Sequence, residues 1–183
     1  MDSARTDPFS DLSVLEFSTR EELDRAYEFF QAEGHDQRER IDYRCHTETI
    51  IGVEREGVIL GAVRMSSEFG HFVLRTMVVA AHVRGQGLGR YLNQVFVDRL
   101  GDDDCVCLAF GDVIDFYIRF QFEEIEDSVA PPHLIRRRDL YAAGMGPAAL
   151  AARGGLKVLR RAGGSTNPHP SPTLEADSSG APT

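Results

Sequence analysis

The chain has 183 residues, 42% hydrophobic and 27% charged, with a formal net charge of −9. That is one domain of ordinary size with enough chain to bury a core. No apolar run approaches the roughly 20 residues of a membrane span, and the acidic balance speaks against nucleic acid as a partner of the main body.

The charge is unevenly spread: residues 132–161 carry seven basic residues and one acid, and residues 1–131 hold −13. Residues 1–12 show no periodicity and read as a loose lead-in; the start is polar and acidic, unlike a targeting segment, which places the chain in the cytoplasm. Ser13–Phe17 predicts a first strand. Thr19 followed by Glu22 forms a capping box, and Leu23, Ala26, Tyr27 and Phe30 fall on one helical face that Gly34 ends. Residues 35–46 are highly charged and give no clear period. Two apolar runs over 49–66, turning at Glu56-Gly57, make a hairpin. After a second turn at 68–70, the Val-rich run 72–79 is a third antiparallel strand.

Arg84-Gly85-Gln86-Gly87-Leu88-Gly89 follows, and then Leu92, Val95, Phe96 and Leu100 at helical spacing. A strand, a tight glycine loop and a helix make a place to hold a phosphate: the first amides of the helix lack partners, its dipole favours an anion, and glycine lets the backbone come close. A nucleoside-triphosphate loop needs Lys and a hydroxyl after its last Gly, where this chain has Arg90 and Tyr91. The dinucleotide fingerprint wants a small third residue at position 90, which is Arg.

Cys105 to Ala109 is a short buried strand, parallel to 72–79 because a helix crosses between them. Cys105 and Cys107 point the same way and, with Cys45, read as reduced, buried thiols. A short helix from about Asp112, a tight turn and a strand from Phe122 come next. Pro131-Pro132 breaks the chain, and 133–143 is a helix with Arg136, Arg137 and Arg138 outward. Residues 155–160 form the last strand, with 144–154 as an insertion; a single helix over 147–161 is the alternative. From Ala162 on, the composition lacks the apolar area to offset its ordering entropy, and a disordered tail over 162–183 is expected. There is no internal repeat.

The loop 84–89, with its strand before and helix after, resembles the R/Q-x-x-G-x-G/A loop of the GCN5-related N-acetyltransferase (GNAT) superfamily. Phe116-Tyr117-Ile118-Arg119-Phe120-Gln121-Phe122 is similar to the same family's F-Y-x-x-x-G-F, with Gln121 in place of the glycine. Phe110 stands where the family often has Asn, and Ala81 where it has Pro. The resemblance spans residues 13–126 and implies an α/β acyl-CoA N-acyltransferase fold over 13–161, antiparallel up to the glycine loop with a parallel step after it.

It further implies acetyl-CoA as co-substrate and no metal, with transfer of an acetyl or other short acyl group to an amine by direct attack in a ternary complex. The pyrophosphate would rest on the amides of Gly85, Gln86, Gly87, Leu88, Gly89 and Arg90, and the pantetheine would lie along Met77, Val78 and Val79. Arg84 would help the phosphates or merely start the loop. Tyr117 matches the family's proton donor to the departing thiolate, a suitable match of phenol and thiol acidity; the plain alternative is a core aromatic beside Phe116. Glu48, Glu68, His71, Asp112 or a water chain could serve as base; His82 and His133 read as ordinary residues. The acceptor is a small-molecule or protein amine, which the acidic charge of residues 1–131 would favour, without nucleic acid or membrane and with a homodimer left open. In the family the first helices flank the acceptor cleft, so 35–46 would form part of that wall. A non-catalytic acyl-CoA sensor or docking module with the same fold is the rival reading.

Overall fold

The chain is described by a computed structural model over residues 9–35 and 47–164. Seven strands, β1 Ser13–Phe17, β2 Thr47–Arg55, β3 Val58–Glu68, β4 His71–Val79, β5 Cys105–Phe110, β6 Phe122–Glu124 and β7 Leu156–Arg161, join in one sheet in the order β1-β2-β3-β4-β5-β7-β6. The helices are α1 Arg20–Ala32, α2 Leu88–Leu100, α3 Ile114–Ile118, α4 Pro132–Met145 and α5 Pro147–Ala152. Every strand pair is antiparallel except β4 with β5, which α2 connects. This is the mixed α/β sheet with one parallel step that the sequence predicts.

Local chemistry accounts for the elements. The Thr19 hydroxyl accepts the Glu22 amide at 3.2 Å, and the Glu22 carboxylate accepts the Thr19 amide at 2.9 Å. Those backbone donors, Thr19 first and Ser18 next, hold the Glu22 carboxyl at about 2. Both hairpins turn on two left-handed residues, Glu56 and Gly57 (φ 52° and 78°), then Phe69 and Gly70 (φ 50° and 82°). Such turns match the twist of the strands they join.

Two layers of helix cover the sheet. On one face, α1 buries Ala26 and Phe30 against Phe17, Ile50, Ala62 and Val78, and α4 seats Leu134 among Val73, Val106 and Val158. On the other, α2 presses Leu88, Leu92, Phe96 and Leu100 onto Ile51, Val53, Leu60, Val63 and Leu74.

Two expectations change, and one open alternative is decided. The lead-in is packed from Phe9, whose ring stacks on Tyr91 at 5.0 Å, because Phe9 and Leu12 supply apolar area to the α2 core. Of the three arginines expected outward, only Arg136 is exposed. Arg137 reaches Glu68 at 2.5 Å, since a carboxylate buried at the end of β3 draws a cation inward, and Arg138 pairs with the exposed Asp127 at 2.5 Å. Over 147–161 the strand prevails: α5 stops before Gly154 and Gly155, both at positive φ. β7 then fills the space between β5 and β6, which gives both edges a partner. Cys45, nearly all of the 35–46 wall and the tail from 165 lie outside the described residues.

Candidate functional site

β4 and β5 pair over three residues only, from Phe72 opposite Cys105 to Leu74 opposite Cys107. Beyond these, Arg75 to Val79 and Leu108 to Phe110 are not paired with each other, so the sheet opens as a wedge. On its other side β4 stays fully engaged, with Val63 opposite Met77, Ala62 opposite Val78 and Gly61 opposite Val79. A β-bulge marks the same region, between Arg64 and Met65 on β3. β-bulges end or re-aim strand pairing in this way.

The glycine loop sits over the open end. Gly85 and Gly87 take φ of 78° and 93°, and Gly87 caps α2 in the left-handed conformation. Gly89 lies so near that a Cβ there would sit 3.6 Å from Val79 and 3.8 Å from Phe116. The first turn of α2 therefore meets the end of β4 on one side and α3 on the other. Arg84 is tied down through two of its three nitrogens. Its Nε donates to the Val79 carbonyl at 2.8 Å and its Nη2 to Glu33 at 2.6 Å, while the Ala81 amide donates to the same carboxylate at 3.1 and 3.2 Å. It thus anchors the loop to the end of α1, a role that sequence reasoning left between two alternatives.

Tyr117 stands at the wedge on α3, half-buried, edge-on to Phe116 at 5.2 Å and to Phe122 at 5.6 Å. Burial, and then the neighbouring Cys107 and Cys105, push its phenol well above the ordinary value, so it stays protonated. Burial likewise pushes the Cys105 thiol up to about 12 and holds the Cys107 thiol well above its ordinary value; both are free and inert. Gln121 makes the turn after α3 at φ 66°, so the geometry usually given to glycine is kept by a residue that pays for it in strain.

At the mouth, Phe110 closes β5 under the Arg153 guanidinium, 3.7 Å from the ring centroid. Arg153 also grips both oxygens of Asp112, at 2.9 and 3.2 Å. The residue at Gly111 must be glycine because a Cβ would meet the Gly154 carbonyl oxygen at 2.4 Å. His35, which sequence reasoning left unassigned, lies within the field of Arg84, Glu33 and Arg153; burial first and the two arginines next hold its imidazole below the usual value. Only the three-dimensional meeting of α1, the glycine loop and the α5–β7 connection reveals it.

The four candidate bases separate. Glu68 and His71 face each other at the opposite end of β4, eight residues or roughly 25 Å from Val79. Glu68 is wholly buried and belongs to an ionic cluster: Ser66 donates at 2.5 Å, Arg75 pairs at 2.9 Å and Arg137 at 2.5 Å, and His133 stands at 3.9 Å. Asp112 is held by Arg153. Glu48 lies on the α1 face, accepting from Tyr27 at 2.5 Å and paired with Arg64 at 3.0 Å; its second oxygen is buried with no hydrogen bond. His82 is exposed in the turn before the loop.

Residues 16–121 match the acetyltransferase (GNAT) family. No curated protein sequence matches significantly. Among solved structures, Escherichia coli ElaA is 12% identical, with a TM-score of 0.58 over 82% of this chain and 99% of that one. The ribosomal-protein-S18-alanine N-acetyltransferase of Escherichia coli is 14% identical, with a TM-score of 0.57 over 86% and 99%. Arabidopsis thaliana Naa50, in complex with the bisubstrate analogue CoA-Ac-MVNAL, is 14% identical, with a TM-score of 0.54 over 83% and 99%. At these identities the likeness is one of fold.

Proposed function

Because the chain belongs to the acetyltransferase (GNAT) family, we propose that it moves an acetyl or other short acyl group from acyl-CoA to an amine, by direct attack within a ternary complex. The observation that carries this is the wedge between β4 and β5, with the amides of a helix start above it and a protonated phenol beside it. Residues 13–161 form the catalytic unit.

The amides of Gly85 to Gly89 would hold the pyrophosphate, with glycine at 85, 87 and 89 leaving room for close approach; the Arg90 amide, expected among them, donates instead to the Gly87 carbonyl at 3.0 Å. The free edge of β4 at Met77, Val78 and Val79 would take the pantetheine arm as if it were another strand. An amide of the same edge would face the thioester carbonyl and stabilise the charge that develops there. As the amine attacks, a C–N bond forms and the C–S bond breaks; Tyr117 gives its proton to the departing sulfur, which is why a phenol held protonated suits the place. Of the four carboxylate and imidazole candidates, Glu48 is the one with an oxygen unbonded among the described residues, and we assign it to receive the amine's proton, directly or through water.

The acceptor is a small-molecule or protein amine, met in the cytoplasm. Isothermal titration should show wild-type protein binding acetyl-CoA near micromolar levels and Gly87→Glu failing to bind. Tyr117→Phe should lower turnover much more than CoA affinity. Intact binding by Gly87→Glu would overturn the assignment. A sensor that binds acyl-CoA without turnover is the second reading, favoured by Phe110 in place of the family's Asn; thioester cleavage measured with a panel of amines separates the two.

A further inference from the structure

Asn93 is a polar residue in the middle of the buried stripe of α2. It is 0% exposed, and neither its Oδ1 nor its Nδ2 has a hydrogen-bond partner. An amide shut away from water with both atoms unbonded is costly, and a leucine would fill the same volume without that cost. Its direction follows from its neighbours. Leu92 leans on β3, close enough that a Cβ at Gly61 would meet its Cδ2 at 3.3 Å, while Gly89 faces Val79 of β4 and Phe116 of α3. Successive helical residues are about 100° apart, so Gly89 lies between Leu92 and Asn93 around the axis. Turning from Leu92 past Gly89 moves from β3 to β4 and α3, and the same turn carries Asn93 on toward the β5 side.

Its height is set as well. α2 runs back along β4, from Val79 beside Gly89 toward Cys105, where β5 begins. Four residues beyond Gly89 is about 6 Å along the helix axis, or two residues down the strand. That is the level of Met77, where β4 has already left β5. Met77 and Tyr117 both pack against the core cluster that includes Leu92 and Phe96.

We propose that Asn93 is a binding residue for the pantetheine arm of acyl-CoA, its carboxamide making one hydrogen bond with an amide of the arm where the arm passes between β4 and β5. The assignment rests on the acyl-CoA reading above. It explains why an amide occupies a stripe otherwise made of Leu and Phe.

The test is titration of the full chain and of Asn93→Leu and Asn93→Ala with two ligands: CoA, and 3′-phospho-ADP, which keeps the nucleotide and pyrophosphate but has no arm. Both variants should bind CoA about tenfold more weakly, the loss of one well-made hydrogen bond. Their affinity for 3′-phospho-ADP should stay within about twofold of wild type, as expected when only the arm's contact is removed. Asn93→Ala keeps the test open should Leu overfill the site. Unchanged CoA binding with a higher melting temperature in Asn93→Leu would mean that the amide serves only a trapped water, and would overturn the proposal. Equal weakening for both ligands would mean a displaced helix and would overturn it too. Wild-type protein that binds neither ligand would remove the acyl-CoA reading, and this assignment with it.

Discussion

Removing the Glu68 carboxylate should be among the most damaging single changes to this fold. The side chain is 0% exposed, at the end of β3, and compensates Arg75, 9% exposed, and Arg137, 19% exposed. Burial, and then the nearby Arg137, hold the Arg75 guanidinium down at about 10. In Glu68→Ala two guanidiniums face each other without an anion. Breaking a buried pair in this way costs about 3–5 kcal/mol, which in a chain of this length lowers the melting temperature by roughly 6–20 °C. Arg137→Ala leaves Ser66 and Arg75 on the carboxylate and should cost about 1–3 kcal/mol. The double variant should cost less than the two singles together, because the second change removes one of the stranded cations. Burial raises the Glu68 carboxyl, but Ser66, Arg137 and Arg75 together hold it below the usual range. Its stabilisation is therefore present above the unfolded carboxylate's pKa and lost as pH falls through the lower folded value, so the deficit of Glu68→Ala should shrink in acid. Urea melts followed by circular dichroism at neutral and acid pH measure all of this. A Glu68→Ala protein as stable as an Asp115→Ala control would refute the reasoning.

His133 is pushed from 6.5 down to about 4, first by burial and then by the arginines around it, against the pull of Glu68. The unfolded chain takes the proton more readily, so stability is complete above pH 6.5 and falls toward pH 4 by up to about 3 kcal/mol; His133→Phe should lose less between pH 7 and pH 5 than wild type, and an equal loss would remove His133 from the effect. Gln121→Gly relieves a left-handed residue and should stabilise by about 0.5–1 kcal/mol, read as a melting temperature a few degrees higher; no rise would mean that the turn stores no strain. Glu33→Gln keeps the shape but not the charge of the clamp on Arg84 and Ala81, and CoA affinity should fall about threefold with the fold intact. Unchanged affinity would show that the loop holds itself.

What could be read in advance was whatever local pattern decides. The Thr19 and Glu22 cap, the two hairpin turns, the glycine loop and the parallel step after α2 each follow from a few adjacent residues, and each is present. Arg137 could not be read, because its partner lies 69 positions away and only the packing of α4 on the sheet brings the two together. Asn93 is one polar residue among several on α2; its cost shows only when the stripe it interrupts is seen to be wholly buried. The strand at 156–161 was undecided because Leu, Lys, Val and Arg suit either period, and the choice fell to the open edges of β5 and β6.

The two faces of the sheet divide the proposed work. α2 and α3 bring the glycine loop, Asn93 and Tyr117 to one side of the wedge; the loop and Tyr117 carry a recognisable spacing, as expected where one ligand of fixed shape constrains them, and Asn93 does not. On the opposite face lie Tyr27 of α1, which donates to Glu48 of β2, and Arg137 of α4, which donates to Glu68 of β3, and no local spacing in the sequence announces these pairs. Glu33 is the physical link between the sides, since its carboxylate ties the end of α1 to the first residues of the loop.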